Sequence, residues 1–386
     1  MKSLQVIAFE PYYGGSHRAF LDTWIAASVH QWELHTLPAR HWKWRMRGSA
    51  IWLANQLRDA PAGRYDALFT CDMTSVADLR ALLPIHLRDI PIVCYFHENQ
   101  LTYPLSPNDW RDYQFGFTNI TSALSADAVW FNSQSHLDAF LDAVKHMLKS
   151  MPENLSGDVL PQIKAKSIVQ YPAVELPPKS HGHDDGAVPS VRESNLRILW
   201  PHRWEYDKNP QPFFDAMLAL AEADAKFELV VLGESFRTAP PEFKSALTKL
   251  ESRISHAGFL PSRDDYWRLL QSCDVVVSTA IQENFGLAVV EAMLAGCIPI
   301  LPRRLSYPEL LGVASGSASP NSHYLYEDDD ELRHALANLC NAQAFASLQS
   351  TSQVFRDELM HRFGVNAQAS RLDAAVGSQH RQCLPN

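Results

Sequence analysis

The chain has 386 residues and a formal net charge of −9, from 34 Lys and Arg against 43 Asp and Glu. This length favours two domains, because single hydrophobic cores stop growing beyond roughly 250–300 residues. An apolar content of 46% and a charged content of 20% are ordinary for a soluble protein, and the acidic balance excludes a surface that is basic all round but not a local basic patch.

The cysteines and the first residues indicate the redox state and the compartment in which the protein is expected. Six scattered cysteines form no Cys-x-x-Cys pair, which predicts reduced packing residues rather than disulfides or a zinc site. The first nine residues are too short and too β-like for a signal peptide, and no apolar run approaches the ~20 residues that cross a bilayer. We therefore expect a cytoplasmic protein with no membrane partner.

Short β-rich runs alternate with helical patterns in both halves of the chain. The predicted strands are 4–9, 32–37, 67–71, 92–96 and 128–131 in the first half, and 196–200, 227–232, 275–278 and 298–301 in the second. Strands that alternate with helices favour parallel sheets with right-handed crossovers. The sequence therefore predicts an α/β protein with two Rossmann-like domains that face each other across a cleft.

A proline-bearing polar stretch separates the two series of strands. We expect an N-terminal domain at 1–175, an interdomain linker at 176–194, a C-terminal domain at 195–365, and a tail at 366–386 that packs back on the N-terminal domain. The linker tract His181-Gly-His-Asp-Asp-Gly186 resembles a metal-binding composition. A short polar loop without apolar support is more often mobile, so no metal is expected.

Three segments of the first half carry polar side chains where chemistry is expected. The first strand leads into Glu10-Pro-Tyr-Tyr-Gly14-Gly15-Ser16-His17, whose glycines let a backbone approach a ligand closely, with a tight turn as the alternative. The fourth strand ends at His97-Glu98-Asn99, where His97 faces a ligand crevice or is a satisfied loop histidine. After the next strand, Asn132 or Ser133 is expected to cap a helix.

The segment from Pro38 to Gly48 is unusual for an acidic protein. It holds the cations Arg40, Lys43, Arg45 and Arg47 together with His41, Trp42 and Trp44. Arg and Lys contact phosphates, and Trp stacks on exposed bases, so the segment favours a polyanionic acceptor such as RNA. The alternative is a partly exposed helix start whose Trp residues pack inward.

The second half begins with a strand followed by a loop that contains Arg203 and Lys208. The first strand-to-helix loop of a doubly wound domain commonly holds phosphates, and an Arg fork with a Lys point charge neutralises a diphosphate. A surface loop with an Asp207–Lys208 pair is the alternative.

The most informative segment is Glu283-Asn-Phe-Gly-Leu-Ala-Val-Val-Glu291, at a predicted strand-to-helix junction. The helix is expected at about 287–295 and is apolar apart from Glu291, so that carboxylate needs a partner. Glu283 precedes the helix, at the carboxyl end of a parallel strand, where open α/β sheets bind ligands. A purely structural role for Glu291 is the alternative to a functional one.

Arg203 and Lys208 followed by Glu-x7-Glu resemble the retaining GT-B glycosyltransferases, over roughly residues 195–365. The resemblance implies that Arg203 and Lys208 grip the donor diphosphate, that Glu283 contacts the donor sugar, and that Glu291 hydrogen-bonds the ribose. It also implies donor contacts from the two loops, namely Gly14, Gly15, Asn284, Phe285, Gly286 and Leu287. His97 would lie near the sugar, with His97, Glu283, Arg203 and Lys208 as the catalytic group.

Six dispersed segments resemble the glycosyltransferase-like domain-containing protein family, whose animal members are tRNA-queuosine α-mannosyltransferases. They are 10–17, 42–47, 95–100, 132–133, 171–172 and 307–309. This resemblance covers nearly the whole chain and implies GDP-mannose as co-substrate, no further cofactor, and the cyclopentenediol of queuosine in a tRNA anticodon as acceptor. The implied acceptor or tRNA contacts are Ser16, His17, Arg40, Trp42, Lys43, Trp44, Arg45, Arg47, Glu98 and Asn99.

Two other functions remain open on the sequence. The same fold can act on a lipid or glycan acceptor, with the basic segment meeting anionic headgroups. A catalytically silent RNA-binding relative is the third hypothesis, although Glu283, Glu291, Arg203 and Lys208 are all present. None of these residues distinguishes guanine from uracil or adenine in the donor.

Overall fold

The computed structural model describes residues 2–105, 110–178, 195–234, 241–313, 319–341, 345 and 355–382. The chain divides into two compact units, unit 1 (Met1–Val174 and Phe363–Asn386) and unit 2 (Glu175–Arg362). Each unit contains one six-stranded sheet in which all neighbouring strands are parallel. Most of the expected linker, including the tract 181–186, lies outside the described residues.

Unit 1 alternates strands and helices. Its strands are β1 (Gln5–Tyr13), β2 (Gln31–Pro38), β3 (Ala67–Cys71), β4 (Ile92–Phe96), β5 (Ala128–Phe131) and β6 (Ser167–Val169). Its helices are α1 (Gly15–Ala27), α2 (Trp42–Gln56), α3 (Val76–Leu82), α4 (Tyr113–Ser125), α5 (Gln134–Ser150), α6 (Ser156–Ala165) and the C-terminal helix (Val365–Gln382). The strand order is β2-β1-β3-β4-β5-β6. The chain places β2 on one side of β1 and β3 to β6 on the other, so the order of strands across the sheet reverses between β1 and β3.

Unit 2 repeats this plan. Its strands are β7 (Leu196–Pro201), β8 (Phe227–Leu232), β9 (Ile254–Gly258), β10 (Val275–Val277), β11 (Ile298–Pro302) and β12 (Leu325–Tyr326). Its helices are α7 (Pro210–Glu222), α8 (Pro241–Lys249), α9 (Arg263–Ser272), α10 (Leu287–Ala295), α11 (Tyr307–Leu310) and α12 (Asp329–Leu339). The order β12-β11-β10-β7-β8-β9 places the reversal between β10 and β7. Such switch points are where open α/β sheets bind ligands, outside the carboxyl ends of the strands.

All the strands predicted from sequence are present, and the α/β prediction with parallel sheets is confirmed. The strands β6, β9 and β12 were not predicted from the sequence. Each is an edge strand, and these three contain two to five residues. An edge strand packs on fewer neighbours, so its hydrophobic pattern is weak. The central strands β3, β4 and β5 are buried at every position, and continuous apolar runs make such strands easy to recognise.

The C-terminal helix completes the core of unit 1. Leu372 and Val376 belong to the same buried cluster as Leu21 and Trp24 of α1. The buried carboxylate of Asp373 accepts hydrogen bonds from the Trp24 indole, the Ser28 hydroxyl and the Val29 backbone N–H, each at 2.8 Å. The end of the chain therefore packs on its beginning.

Two further observations concern the cysteines and the length of the helices. The five cysteines in the described part of the chain are free thiols, and Cys71, Cys94, Cys273 and Cys297 are buried, as expected for packing residues. Among the described helices, none combines the length and apolar character required to cross a bilayer.

Candidate active site

Lys208 lies in the loop after β7, beside the switch point of unit 2. Its ammonium Nζ is 3.0 Å from Asp207 Oδ2, 3.3 Å from Glu283 Oε2 and 2.9 Å from the Gln282 carbonyl. Burial alone lowers the pKa of Lys208, but Glu283 and Asp207 reverse this effect, and the net pKa is raised. Lys208 is thus a fixed positive charge that joins the loops after β7 and β10.

Arg203 is placed differently from Lys208. Its side chain is 48% exposed and its guanidinium lies 3.1 Å from Glu205 Oε2. An exposed ion pair contributes little stability, so its partner can be exchanged for an anionic ligand at low cost. The loop after β7 therefore offers one buried cation and one accessible cation, and both Lys and Arg side chains can bind phosphate groups.

The loop 283–286 turns sharply into α10, which spans the residues expected from sequence. Gly286 precedes the helix with φ = 94°, a left-handed conformation that a residue with a Cβ adopts only under strain. Phe285 is buried, and its carbonyl accepts a hydrogen bond of 3.0 Å from the Ser306 hydroxyl. The unpaired N–H groups at the start of α10, from Leu287 onward, form the positive end of a helix dipole. The Asn284 side chain is bonded within the loop, by Gln282 Nε2 at 3.0 Å.

Glu291 has the partners that its burial on an apolar helix requires. Its Oε1 lies 2.5 Å from the Arg263 guanidinium and its Oε2 accepts a hydrogen bond of 2.6 Å from the Tyr266 hydroxyl. Arg263 also pairs with Glu175 at 2.7 Å. A carboxylate has about four acceptor positions, so Glu291 retains capacity for a ligand hydroxyl. The structural role and the proposed ribose contact are therefore compatible.

A second buried chain of hydrogen bonds supports the loop after β7. His202 Nε2 lies 2.8 Å from Ser278 Oγ, which is 2.6 Å from the Tyr307 hydroxyl. Burial and the nearby cations Lys208 and Arg203 lower the pKa of His202 well below its usual value. The imidazole is therefore neutral, and it fixes the strand end without adding positive charge.

The switch point of unit 1 carries a buried cluster centred on Glu10, in the C-terminal half of β1. Glu10 Oε1 is 3.2 Å from His17 Nδ1 and accepts hydrogen bonds from Tyr12 N at 2.9 Å and Cys71 Sγ at 3.1 Å. Glu10 Oε2 is 3.8 Å from His97 Nε2, and the His17 and His97 rings stack with centroids 3.9 Å apart. Residues of α1, of the end of β3 and of the loop after β4 thus meet at one carboxylate.

The two stacked histidines differ in charge. Burial lowers the pKa of His17, but Glu10 outweighs this effect and the net pKa is about 9. Burial, together with His17 and His136, lowers the pKa of His97 well below its usual value. At neutral pH a cationic His17 therefore lies against a neutral His97, which retains a ring nitrogen able to accept a proton.

The backbone of His97 is fixed by side chains from neighbouring strands. Asp72 Oδ1 accepts a hydrogen bond of 2.9 Å from His97 N, and Asn132 Nδ2 donates one of 2.9 Å to the His97 carbonyl. Asn99 is buried and folds its own turn, whereas Glu98 is half-buried and bonds Gln100. Ser133 caps α5 by accepting from His136 N at 3.0 Å, which selects it over Asn132 as the cap.

The glycine loop of unit 1 serves packing as well as access. A Cβ on Gly14 would lie 2.5 Å from the Cβ of Ala39, so this position requires glycine for close packing alone. Gly15 and Ser16 are exposed at the start of α1, while His17 is buried. Close packing against Ala39 thus accounts for Gly14, and the accessible part of the loop is Gly15 and Ser16.

Glu10, His17 and Cys71 also present ligand atoms within 4.8 Å of one another, a spacing that a metal ion could bridge. The thiol of Cys71 donates to Glu10, and burial followed by the charges of Glu10 and Asp72 raises its pKa well above the usual value. A protonated thiol in a hydrogen-bonded network is a poor metal ligand. The absence of a metal, expected from the sequence, therefore remains our prediction.

The basic segment is the first turns of α2, and its two Trp residues point in different directions. Trp42 packs on Phe115 of α4 with ring centroids 4.9 Å apart, whereas Trp44 is exposed. Arg45 donates to the Pro38 carbonyl at 3.3 Å, and Arg47 donates to Gln114 Oε1 at 2.6 Å. Inward packing and surface exposure therefore both occur, and Arg40, Lys43, Trp44 and Arg47 form the exposed part.

Sequence reasoning missed several residues of these clusters. Asp72 directly follows the central strand β3, and Glu10 lies in the C-terminal half of β1. These positions near carboxyl strand ends could have marked both residues. Arg263 and Tyr266 lie 28 and 25 residues before Glu291, and nothing in their local sequence signals that contact.

Comparisons with known proteins match both halves of the chain. Residues 5–174 match the model of the tRNA-queuosine alpha-mannosyltransferase N-terminal domain, and residues 187–341 match that of glycosyl transferases group 1. A tRNA-queuosine alpha-mannosyltransferase of Drosophila melanogaster is 36% identical over 339 residues, which cover 87% of this chain and 86% of that protein. A GDP-mannose-dependent alpha-(1-6)-phosphatidylinositol dimannoside mannosyltransferase of Mycobacterium tuberculosis is 32% identical over 127 residues, 32% of each chain.

Solved structures share the fold across the whole chain. HepE of Anabaena in complex with UDP-glucose superimposes with a TM-score of 0.66 at 18% identity, covering 97% of this chain and 100% of that chain. Sucrose-phosphate synthase of Thermosynechococcus elongatus gives a TM-score of 0.68 at 16% identity, covering 98% of both. The fold is therefore GT-B, and the chain belongs to the tRNA-queuosine alpha-mannosyltransferase family of glycosyltransferases.

Proposed function

We propose that this protein transfers mannose from GDP-mannose to the queuosine of a tRNA, with retention of the anomeric configuration. The observation that carries the proposal is the match at 36% identity over 87% of the chain to a relative named for this reaction. The GDP-mannose donor is supported by the name of the Mycobacterium tuberculosis relative. The cytoplasmic location expected from the sequence belongs to the same proposal.

The residues of unit 2 have the chemistry for holding the donor. In the transfer, the bond from the sugar C1 to the phosphate oxygen breaks and a bond from C1 to the acceptor oxygen forms. Lys208 and Arg203 stabilise the negative charge that develops on the departing GDP, an electrostatic effect that commonly supplies the largest part of catalysis. Glu283, held by Lys208, positions the sugar, and Glu291 accepts from the ribose.

No enzyme base is required in this scheme. The departing phosphate oxygen takes the proton of the attacking hydroxyl on the same face of the sugar, which accounts for retention. His97 is neutral in the structure and positions the sugar rather than attacking it. No metal is needed where the two cations neutralise the diphosphate.

The direct test is mass spectrometry of queuosine-containing tRNA incubated with the protein and a panel of nucleotide sugars. We expect a hexose adduct on queuosine with GDP-mannose, and none on the same tRNA with guanine at the wobble position. An adduct that forms equally well from UDP-glucose would overturn the donor assignment. An adduct on the tRNA without queuosine would overturn the acceptor assignment.

Substitutions separate the donor site from the tRNA site. Arg203→Ala and Lys208→Ala should reduce turnover by about 10²–10³-fold with any acceptor. Arg45→Ala with Arg47→Ala should weaken tRNA binding and reduce its salt dependence, while GDP binding stays unchanged. Arg333→Ala, which removes an exposed pair with Asp330 on α12, is the control. Equal loss of GDP binding in both sets would contradict this division.

A lipid acceptor is the second candidate, favoured only by the printed activity of the Mycobacterium tuberculosis relative over a third of the chain. Cosedimentation with anionic liposomes against a gel shift with tRNA distinguishes the two. Liposome binding that depends on Arg45 and Arg47, without tRNA binding, would favour the lipid.

A further inference from the structure

Unit 1 exposes four large aromatic side chains on two adjacent helix starts. Trp44 of α2 is 77% exposed, and on and just before α4 Trp110 is 94%, Tyr113 59% and Phe117 37% exposed. Four other tryptophans, Trp24, Trp130, Trp200 and Trp267, are fully buried. Trp is highly buried on average, so its exposure here needs an explanation. We call these four residues the aromatic surface.

The two helix starts are joined by the residues beneath this surface. Trp42 and Met46 of α2 pack with Phe115 of α4 in one small cluster. The Arg47 guanidinium donates to Gln114 at 2.6 Å and lies 5.4 Å from the centre of the Phe115 ring. The inward faces of the two helices are thus fixed to each other. Tyr113 and Phe117 are four residues apart and share the outward face of α4.

The aromatic side chains are interleaved with cations. Arg40, Lys43 and Arg47 are exposed beside Trp44, and residues 38–48 contain no acidic side chain although the chain carries −9 overall. Two acidic residues, Asp109 and Asp112, lie beside Trp110 in the sequence, and Asp112 caps α4 by accepting from Gln114 N at 3.1 Å. Flat π faces among cations are the features with which proteins bind unpaired nucleotides.

The chemistry favours RNA over a lipid surface. All four side chains are aromatic, and base stacking uses a π face that aliphatic side chains lack. Three exposed aliphatic side chains of unit 1, Ile51, Leu82 and Ile85, line a separate groove. That groove provides matched control positions.

We propose that the aromatic surface of α2 and α4 binds unpaired nucleotides of the tRNA anticodon loop by stacking, with Trp110 and Tyr113 as its main stacking residues. The tRNA in this inference rests on the proposed function. Neither residue was assigned a role from the sequence. The α4 start thereby extends the contact beyond the basic segment.

The test compares two RNA hairpins, one with an unpaired loop and one of the same length that is fully paired. Trp110→Ala and Tyr113→Ala should each weaken binding of the looped hairpin roughly tenfold or more and leave the paired hairpin within about twofold. Trp110→Phe keeps a π face and should retain most of the affinity. Arg47→Ala should weaken both hairpins, because it removes a phosphate contact.

Ile85→Ala and Leu82→Ala are the matched controls and should change neither hairpin. The hairpin assay measures RNA binding without mannose transfer, so a failure of this surface is distinguishable from a failure of the proposed reaction. GDP binding, measured on every variant, reports whether the donor site is intact. Unchanged binding of the looped hairpin in Trp110→Ala and Tyr113→Ala would overturn the proposal. So would equal losses for both hairpins, or a loss of liposome binding without a loss of RNA binding.

Discussion

Several buried charges in this protein occur in partnered groups, near the carboxyl ends of strands and on α10. Lys208 lies between Asp207 and Glu283, Glu10 lies against His17, and Glu291 is held by Arg263. A buried ion costs several kcal/mol unless it is paired and hydrogen-bonded. The pairs therefore hold charge at fixed positions where a ligand can use it.

His17 makes stability depend on pH on the alkaline side of neutrality. We predict that the contribution of His17 to the free energy of unfolding decreases by about 1.4 kcal/mol for each unit of rising pH between pH 6.5 and about 9. In that window the unfolded chain has released the imidazole proton and the folded chain still holds it. The stabilisation is fully present below pH 6.5 and is lost as the pH rises through about 9.

Denaturant unfolding at a series of pH values measures this slope. The difference between wild type and His17→Gln isolates the histidine from other groups that titrate there. Glu10→Gln removes the carboxylate that stabilises the protonated imidazole of His17, and it should flatten the dependence of stability on pH in the same window. Identical slopes in wild type and His17→Gln would refute the assignment.

Arg263 is predicted to matter more through Glu291 than through Glu175. Arg263→Gln leaves the buried Glu291 carboxylate without its cation and should destabilise unit 2 by about 1–3 kcal/mol, reduced from a fully buried pair because Arg263 is partly exposed. Glu175→Gln removes only the exposed partner and should change stability by less than about 0.5 kcal/mol. Denaturant unfolding compares the two, and equal effects would show that the Glu291 contact is not the important one.

Among the secondary-structure elements, α10 depends on the turn that precedes it. The apolar run at about 287–295 predicted this helix correctly. In the structure the helix ends at Ala295, and Gly296 follows it as a left-handed cap. The contact of Glu291 with α9 was not predictable, because helix periodicity shows which face is apolar but not which distant side chain lies opposite. The edge strands were missed for a related reason, since they leave little apolar pattern.

Gly286→Ala is expected to destabilise unit 2 by about 1 kcal/mol or more, because φ = 94° strains any residue with a Cβ. The nearest atoms to an added Cβ are at 3.4–3.5 Å, so the cost arises from the backbone rather than from a clash. Thermal unfolding and the KM for the donor measure the effect. Gly157→Ala in α6 is the matched control, since an added Cβ there meets nothing within 4 Å, and it should be neutral or stabilising. A neutral Gly286→Ala would contradict the strain.

Across the whole molecule, the end of the chain returns to unit 1 after the complete fold of unit 2. Asp373 holds the C-terminal helix on unit 1 by accepting three hydrogen bonds from residues 24–29. Unit 1 is therefore closed by a segment that is contiguous in sequence with unit 2.

Asp373→Asn should lower the stability of unit 1 by about 2–4 kcal/mol, because the amide group cannot accept at both of its former oxygen positions. Hydrogen exchange should increase in α1 and at the start of β2 and stay unchanged in β7, β8 and β10. Arg371→Ala, exposed on the same helix, is the control and should stay within about 0.5 kcal/mol. Increased exchange throughout unit 2 would contradict the local effect expected for this contact.

The sequence by itself determined the α/β class, the central strands, α10 and the strand ends at which Arg203, Lys208, His97 and Glu283 lie. These follow from local features, namely apolar runs, turn residues and chain order, that do not depend on distant contacts. Only the tertiary structure decided the strand order, the partners of Glu291, the meeting of Glu10 with His17 and His97, and the direction in which Trp42 and Trp44 point. These depend on packing between residues far apart in sequence, which no local pattern records.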